Sequence, residues 1–230
     1  MERRDWSEWS RNLEKIYMQT DALRMSLKLF LKRSFDILVG LVGTLTLIPL
    51  FIIIKIASVI NHDYAPIIFK QKRIGKDGKD IYIYKFRSMI PNAEEELERL
   101  MKKDKKIRKE YLENKKLKND PRITKVGKVI RKTSIDEFPQ FINVLKGDMS
   151  FVGPRPYLPR EKDDMKKGYN EIIKVRPGIT GPWQCGGRSN VSFDDRVKIE
   201  AKYANNWGIK GDIKIIIKTV SSVLKKEGAK

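Results

Sequence analysis

Two carboxylates stand side by side at Asp136 and Glu137, within the run Ser134-Ile135-Asp136-Glu137-Phe138-Pro139, in a chain of 230 residues whose formal net charge is +20. Adjacent acids among cations can hold a divalent metal and can attack phosphorus. Arg131 lies five residues before Asp136, and Arg155 stands between Pro154 and Pro156, a stiff setting in which a guanidinium loses little entropy on gripping a phosphate at two points. A structural reading of the same residues competes: Ser134 as N-cap, with Asp136 and Glu137 in the first turn of a helix, facing the positive end of its dipole. On a helix start adjacent side chains diverge by ~100°, so one carboxylate can face phosphorus while the other reaches a metal.

Composition narrows the chemistry. With 49 Lys+Arg against 29 Asp+Glu, the expected partner is anionic: nucleic acid, phospholipid or a phosphorylated small molecule. The single cysteine, Cys185, excludes an internal disulfide, and the single histidine, His62, leaves no zinc site of the usual Cys/His kind. A metal, if used, is oxygen-ligated.

The elements that must position these residues begin with an apolar stretch at 35–60, charge-free from Ile37 to Ile54 and close to the ~18 residues of a membrane-spanning candidate. No signal-peptide layout surrounds it. Pro49 falls inside it and is expected to break the helix. Arg24, Lys28, Lys32 and Arg33 precede the stretch, and Lys55, Lys70, Lys72 and Arg73 follow it. Basic flanks stay on the cytoplasmic side, so the expectation is a re-entrant helix hairpin that enters and leaves through one leaflet, with Thr44 and Thr46 near the break. Asp36, within helical reach of Lys32 and Arg33, reads as a paired interfacial charge rather than a buried one. Residues 1–34 carry Trp6, Trp9, Leu13, Ile16, Tyr17, Leu23, Leu27 and Phe30 among charges, an amphipathic segment suited to the interface or to a partner helix.

Beyond residue 60 the pattern alternates. Residues 66–75 and 79–90 read as a β-hairpin around the turn at 75–79, with Ile81, Ile83 and Lys85 on one face and Tyr82, Tyr84 and Phe86 on the other. A helix opens after Pro91-Asn92 with acids first and lysines later, as the dipole favours. From Lys102 to Lys132 there are 14 Lys/Arg against 4 Asp/Glu, a solvated face or one set against anionic lipid. Near the C-terminus a glycine-rich loop surrounds Trp183 and Gln184, and an amphipathic helix follows.

In order along the chain, Lys32-Arg33-Ser34-Phe35-Asp36, Phe69-Lys70-Gln71-Lys72-Arg73-Ile74-Gly75, Lys85-Phe86-Arg87-Ser88-Met89, Thr133 to Gln140, Asn143 to Ser150 and Val152-Gly153-Pro154-Arg155-Pro156 resemble the bacterial sugar transferases, the monotopic polyprenyl-phosphate phosphoglycosyl transferases. The resemblance runs from about residue 30 to 222. The segment from Trp183 to Arg188 is similar to that of exopolysaccharide and O-antigen initiating members, many of which use galactose or glucose. It implies transfer of a sugar 1-phosphate from a nucleotide diphosphate sugar, usually a UDP-sugar, to undecaprenyl phosphate at the cytoplasmic face of the inner membrane. It further implies that Asp136 is the nucleophile forming a covalent phosphosugar and that Glu137 is its partner in a dyad associated with Mg²⁺, the two together being the metal-ligand candidates. Arg131 and Arg155 match phosphate-binding positions, and Lys85, Arg87, Gln184 and Arg188 are assigned with them to the phosphates or the nucleotide sugar. Lys32, Arg33, Asp36 and Pro49 are assigned to the lipid phosphate or the membrane interface. Where the family often has Ser before the break proline, this chain has Ile48.

The expected architecture is α+β and predominantly helical: an amphipathic segment 1–34, a re-entrant membrane anchor 35–60, and a cytoplasmic catalytic domain 61–230 containing a small β-hairpin. Direct attack by the lipid phosphate, without a covalent intermediate, is the nearer alternative. A membrane-tethered protein binding nucleic acid or anionic lipid without catalysis is the more distant one; no nucleic-acid motif supports it, and it leaves the Asp-Glu pair unexplained. The sequence leaves open whether the chain forms a homo-oligomer.

Overall fold

The computed structural model describes residues 6–114, 117–186 and 191–224. Its first element, α1 (Trp6–Ile60), is one helix of 55 residues, roughly 80 Å long at ~1.5 Å per residue. It is long and apolar enough to cross a membrane. A stripe at Asp36, Gly40, Gly43, Leu47, Leu50, Ile54 and Ser58, in steps of three and four, faces the rest of the protein and is buried or half-buried. The other faces, including Ile37, Leu38, Leu41, Leu45, Ile48, Ile52, Ile53 and Ile56, are exposed.

The expected division at Pro49 and at residue 34 differs from what the chain forms. Helical structure runs through both positions, with Pro49 inside α1. Proline removes one backbone bond, and the packed stripe continues on the same face on either side of it. Thr46 Oγ1 donates to Gly43 O at 2.7 Å, while Thr44 Oγ1 is buried without a partner.

A hairpin follows: β1 (Ile68–Ile74) and β2 (Asp80–Phe86) pair antiparallel, with Gln71 opposite Ile83. The expected two-faced alternation holds only in part, because β2 is covered on both sides. Ile83 packs with Val144 and Met149, whereas Phe86 packs with Ile54, Ile67 and Ile130. Next come α2 (Ala93–Lys103), α3 (Lys105–Asn114) and α4 (Lys125–Lys132), the last capped by Thr124, which accepts from Gly127 N. A single 3-10 turn, Ile135–Glu137, leads to α5 (Gln140–Lys146). The sequence did not announce the short parallel pair of β3 (Ser150–Val152) and β4 (Gly178–Thr180), with α6 (Gly168–Ile172) between them. Helices α7 (Phe193–Asn206) and α8 (Ile209–Leu224) complete the described chain.

Asn143 ties α5 to β2. Its side chain is fully buried, accepts from Tyr84 N at 3.0 Å and donates to Tyr82 O at 2.8 Å, occupying the edge of β2 that β1 does not use. Asn143→Leu leaves a buried N–H and a buried C=O without partners and is expected to cost about 2–4 kcal/mol. Urea unfolding of detergent-solubilised protein measures this; a loss under about 0.5 kcal/mol would show that water replaces the amide.

Candidate active site

The two carboxylates do not sit in the first turn of an α-helix, and Ser134 does not cap one. Ser134 has φ 57°, in the left-handed region, and makes no side-chain cap; Asp136 and Glu137 belong to the 3-10 turn between α4 and α5. With about three residues per 3-10 turn, positions i and i+3 share a face. Ile135 and Phe138 are such a pair, and both pack on the cluster of Ile54, Ile67, Phe86 and Ile130. Asp136 and Glu137 are the two residues between these apolar pins.

Cations gather around the pair. Lys85, on β2, donates to Glu137 Oε1 at 2.9 Å. Arg131, at the end of α4, donates from Nε to Ser88 Oγ at 2.9 Å. Burial raises the pKa of Asp136 above its ordinary value and the charge of Glu137 adds to the rise, against the downward pull of Lys85 and Arg131. Such a carboxylate is poorly solvated, which favours bond formation over hydration.

Glu137 and Lys85 open onto a small cleft lined also by Arg73, Gln140, Arg155, Gly178 and Gln184. Four of the expected site residues, Lys85, Glu137, Arg155 and Gln184, therefore share one cavity. Arg73 and Gln140 were not expected there. Arg73 is 5% exposed, donates to Pro156 O at 3.0 Å and to Gln71 Oε1, and leaves its Nε unpartnered. Burial, and next the neighbouring Arg155, push the Arg73 pKa down to about 10. Two guanidiniums in mutual repulsion beside a cleft favour an anion between them. The available signal for Arg73 was a charge standing next to Ile74 at the end of a strand.

The loop bearing Arg155 is fixed at nearly every backbone group. Gly153 N donates to Thr180 O at 2.9 Å, Gly178 N to Pro154 O at 2.7 Å, Arg155 N to Glu200 Oε1 at 3.0 Å and Ile74 N to Tyr157 O at 2.9 Å. Gly153 and Gly178 are glycines because the backbones touch: a Cβ at 178 would lie 2.1 Å from Gly153 N. Glu200 is fully buried beneath this loop, and burial pushes its carboxyl up to about 7 although Tyr157, the Arg155 amide and the Arg196 and Arg155 charges pull it down. The Trp183 ring carries Arg155 at 5.5 Å and Arg196 at 4.8 Å, so it is a platform for cations.

Other assignments end elsewhere. Arg87 is spent on structure, bonding Asp63 at 2.7 Å, Pro66 O at 2.7 Å and Met89 O at 2.8 Å, which straps the segment after α1 to the end of β2. Lys32 and Arg33 reach into the protein. Lys32 Nζ donates to Asp212 at 2.6 Å and Val152 O at 2.9 Å, and Arg33 donates to Val144 O and Leu145 O at 2.7 and 2.8 Å. Asp36 is not an interfacial charge but is 2% exposed, accepting from Ser150 Oγ and Phe151 N. Arg122, in the basic run, is likewise internal, paired with Asp120 at 2.6 Å. Arg188 lies outside the described residues.

The burial that raises the Asp136 pKa opposes folding whenever the carboxyl is charged. The folded chain holds this proton to a higher pH than the unfolded chain, so its contribution is complete below the unfolded value of about 3.9 and is lost as pH rises through the folded value. Asp136→Asn, neutral throughout, is expected to melt above wild type at pH 7.5, with the gap closing toward pH 4. Equal melting temperatures at pH 7.5 would show that the surrounding cations offset the burial.

The sequence model of the bacterial sugar transferase family matches residues 27–226. The chain is 44% identical over 200 residues to a UDP-galactose-lipid carrier transferase of Erwinia amylovora, an alignment covering 87% of this chain and 42% of that protein. The same identity and coverage hold for an undecaprenyl-phosphate galactose phosphotransferase of Salmonella typhimurium. An exopolysaccharide production protein, ExoY, of Sinorhizobium fredii is 37% identical over 198 residues, covering 86% of this chain and 87% of that protein. The chain thus spans less than half the length of the first two relatives and most of the third. Matched from within α1 to the end of α8, it belongs to the bacterial sugar transferase family.

Proposed function

We propose that this chain transfers a sugar 1-phosphate from a UDP-hexose, with galactose or glucose as the sugar, to undecaprenyl phosphate at the cytoplasmic face of the inner membrane, releasing UMP and initiating polysaccharide assembly. The observation that carries this reading is a desolvated Asp136 next in the turn to Glu137, which lines a cleft with Lys85, Arg73 and Arg155. Relatives named for undecaprenyl-phosphate galactose transfer and for UDP-glucose:undecaprenyl-phosphate glucose-1-phosphate transfer support the substrate classes.

A diphosphate resists nucleophiles mainly through its negative charge, and fixed cations that cancel this charge supply most of the help. An Asp136 carboxylate oxygen forms a bond to the sugar-bearing phosphorus while the bridging P–O bond breaks and its electron pair departs with UMP. An oxygen of the lipid phosphate then attacks the same phosphorus, and the electron pair of the acyl P–O bond returns to the Asp136 carboxylate. Lys85 and Arg131 face the charge at the turn, and Arg155 with Arg73 faces that of the leaving phosphate. Among the described residues no third acid, His or Cys joins the pair. Two carboxylates fit Mg²⁺, which takes its remaining oxygens from water and substrate phosphates; held by Asp136 and Glu137, it would neutralise phosphoryl charge.

Purified protein given donor radiolabelled in the sugar, without lipid, is expected to retain label, and Asp136→Asn to retain none. Mass spectrometry of quenched protein should find a phosphohexose on the peptide containing Asp136. Release of UMP in a single-turnover burst without any such adduct would exclude the covalent route and favour direct attack by the lipid phosphate.

We further propose that α1 is held within one leaflet. Its buried stripe from Asp36 to Ser58 is docked on the same body that carries the site, so a straight span would drag α5 and β1 into hydrocarbon. Cysteines introduced at the exposed positions Tyr17 and Asp77, in a Cys185→Ser background, should both resist a membrane-impermeant thiol reagent in intact cells. Labelling at position 17 alone would establish a span.

A further inference from the structure

The membrane helix touches both halves of the candidate site through polar side chains. Arg33 bonds the carbonyls of Val144 and Leu145, at the C-terminal end of α5, the helix that follows the carboxylate turn. Asp36 accepts from Ser150 Oγ at 3.0 Å and from Phe151 N at 2.8 Å. Lys32 donates to Val152 O at 2.9 Å and is itself held by Asp212, which also accepts from Tyr203 at 2.7 Å. Every residue of β3 is thus bonded by α1, and Arg155 follows three residues after Val152 across the pinned Gly153 and Pro154.

An apolar stripe alone permits a helix to slide by a turn at little cost, because one aliphatic contact replaces another. Buried polar groups do not slide, since each displaced partner is left unsatisfied. Three such groups stand within two turns of α1, on the face toward β3 and α5. Each of the three is bonded to the body that carries the site.

We propose that Lys32 and Asp36 are positioning residues for Arg155: through β3, the membrane helix sets the distance of the phosphate-binding loop from the Asp136 turn. The inference rests on the reading of Arg155 as a phosphate ligand given above. It makes the helix part of the frame of the site as well as its tether, so that displacement of α1 relaxes the cleft.

The test is UMP binding, by calorimetry on the full chain in nanodiscs, with Arg155→Ala, Asp36→Ala and the double variant. Asp36→Ala is expected to weaken UMP about fivefold to tenfold. Asp36→Asn, which keeps an acceptor for both bonds, should restore most of the affinity. In the Arg155→Ala background Asp36→Ala should add nothing, because the two act in series. Lys32→Met, which retains the packing of the stem, carries the same expectations and covers the case in which Asp36→Ala fails to fold. Wild-type affinity in Asp36→Ala and Lys32→Met, or effects that multiply undiminished with that of Arg155→Ala, would overturn the inference while leaving the cleft assignment standing. No loss of UMP affinity in Arg155→Ala itself would overturn both.

Discussion

A two-stranded sheet leaves each strand with an open edge, and in this protein the side chain of Asn143 occupies that of β2. The consequence reaches well beyond two hydrogen bonds. Asn143 sits on α5, its own carbonyl accepts the amides of Asp148 and Met149, and the turn holding Asp136 and Glu137 enters α5 directly. Because Tyr82 and Tyr84 flank Ile83 and lead into Lys85, the same contact fixes the lysine that meets Glu137. Cation and carboxylate are thus brought to 2.9 Å by an amide that touches neither.

Around this clamp the charges are arranged in opposition. At the turn, acids lie close together and burial favours the proton on Asp136. In the adjoining cleft, Arg73 and Arg155 lie close together and burial favours the loss of a proton from Arg73. Each cluster is uncomfortable alone, and both are tolerated because the backbone beneath them is over-determined: apolar pins at Ile135 and Phe138 on one side, and a loop bonded at Gly153, Pro154, Arg155 and Tyr157 on the other. Preorganisation of this kind lets fixed groups meet a developing charge without rearrangement.

What the sequence disclosed was local. Asp136-Glu137 and Pro154-Arg155-Pro156 are short runs whose side-chain types state their chemistry, and the hairpin around 75–79 is announced by its turn residues and alternation. What it concealed was pairing at long range. The charges of Lys32, Arg33 and Asp36 are plain in the sequence, but their partners at Val152, Val144 and Phe151 lie more than a hundred residues away, so a helical-neighbour reading wrongly placed Asp36 at the surface. Arg87 likewise meets Asp63, Ala65 and Pro66, more than twenty residues back along the chain. Glu200 carries no local signal of its role, and only its burial under Arg155 gives it meaning. Pro49 predicts a lost hydrogen bond correctly, yet whether a helix divides there depends on packing that no local rule contains.

The pairing of Arg73 with Arg155 has a consequence for the lifetime of the protein. Arg73 and Arg155 repel one another beside the cleft, with Glu161 and Glu137 offsetting part of that cost, and an anion bound between them would offset more. By mass action, a ligand present at a hundred times its dissociation constant adds about 2.7 kcal/mol to the folded state, a large share of the margin by which domains stay folded. Were an anion held there, occupied and empty molecules would differ in how often they open to a protease.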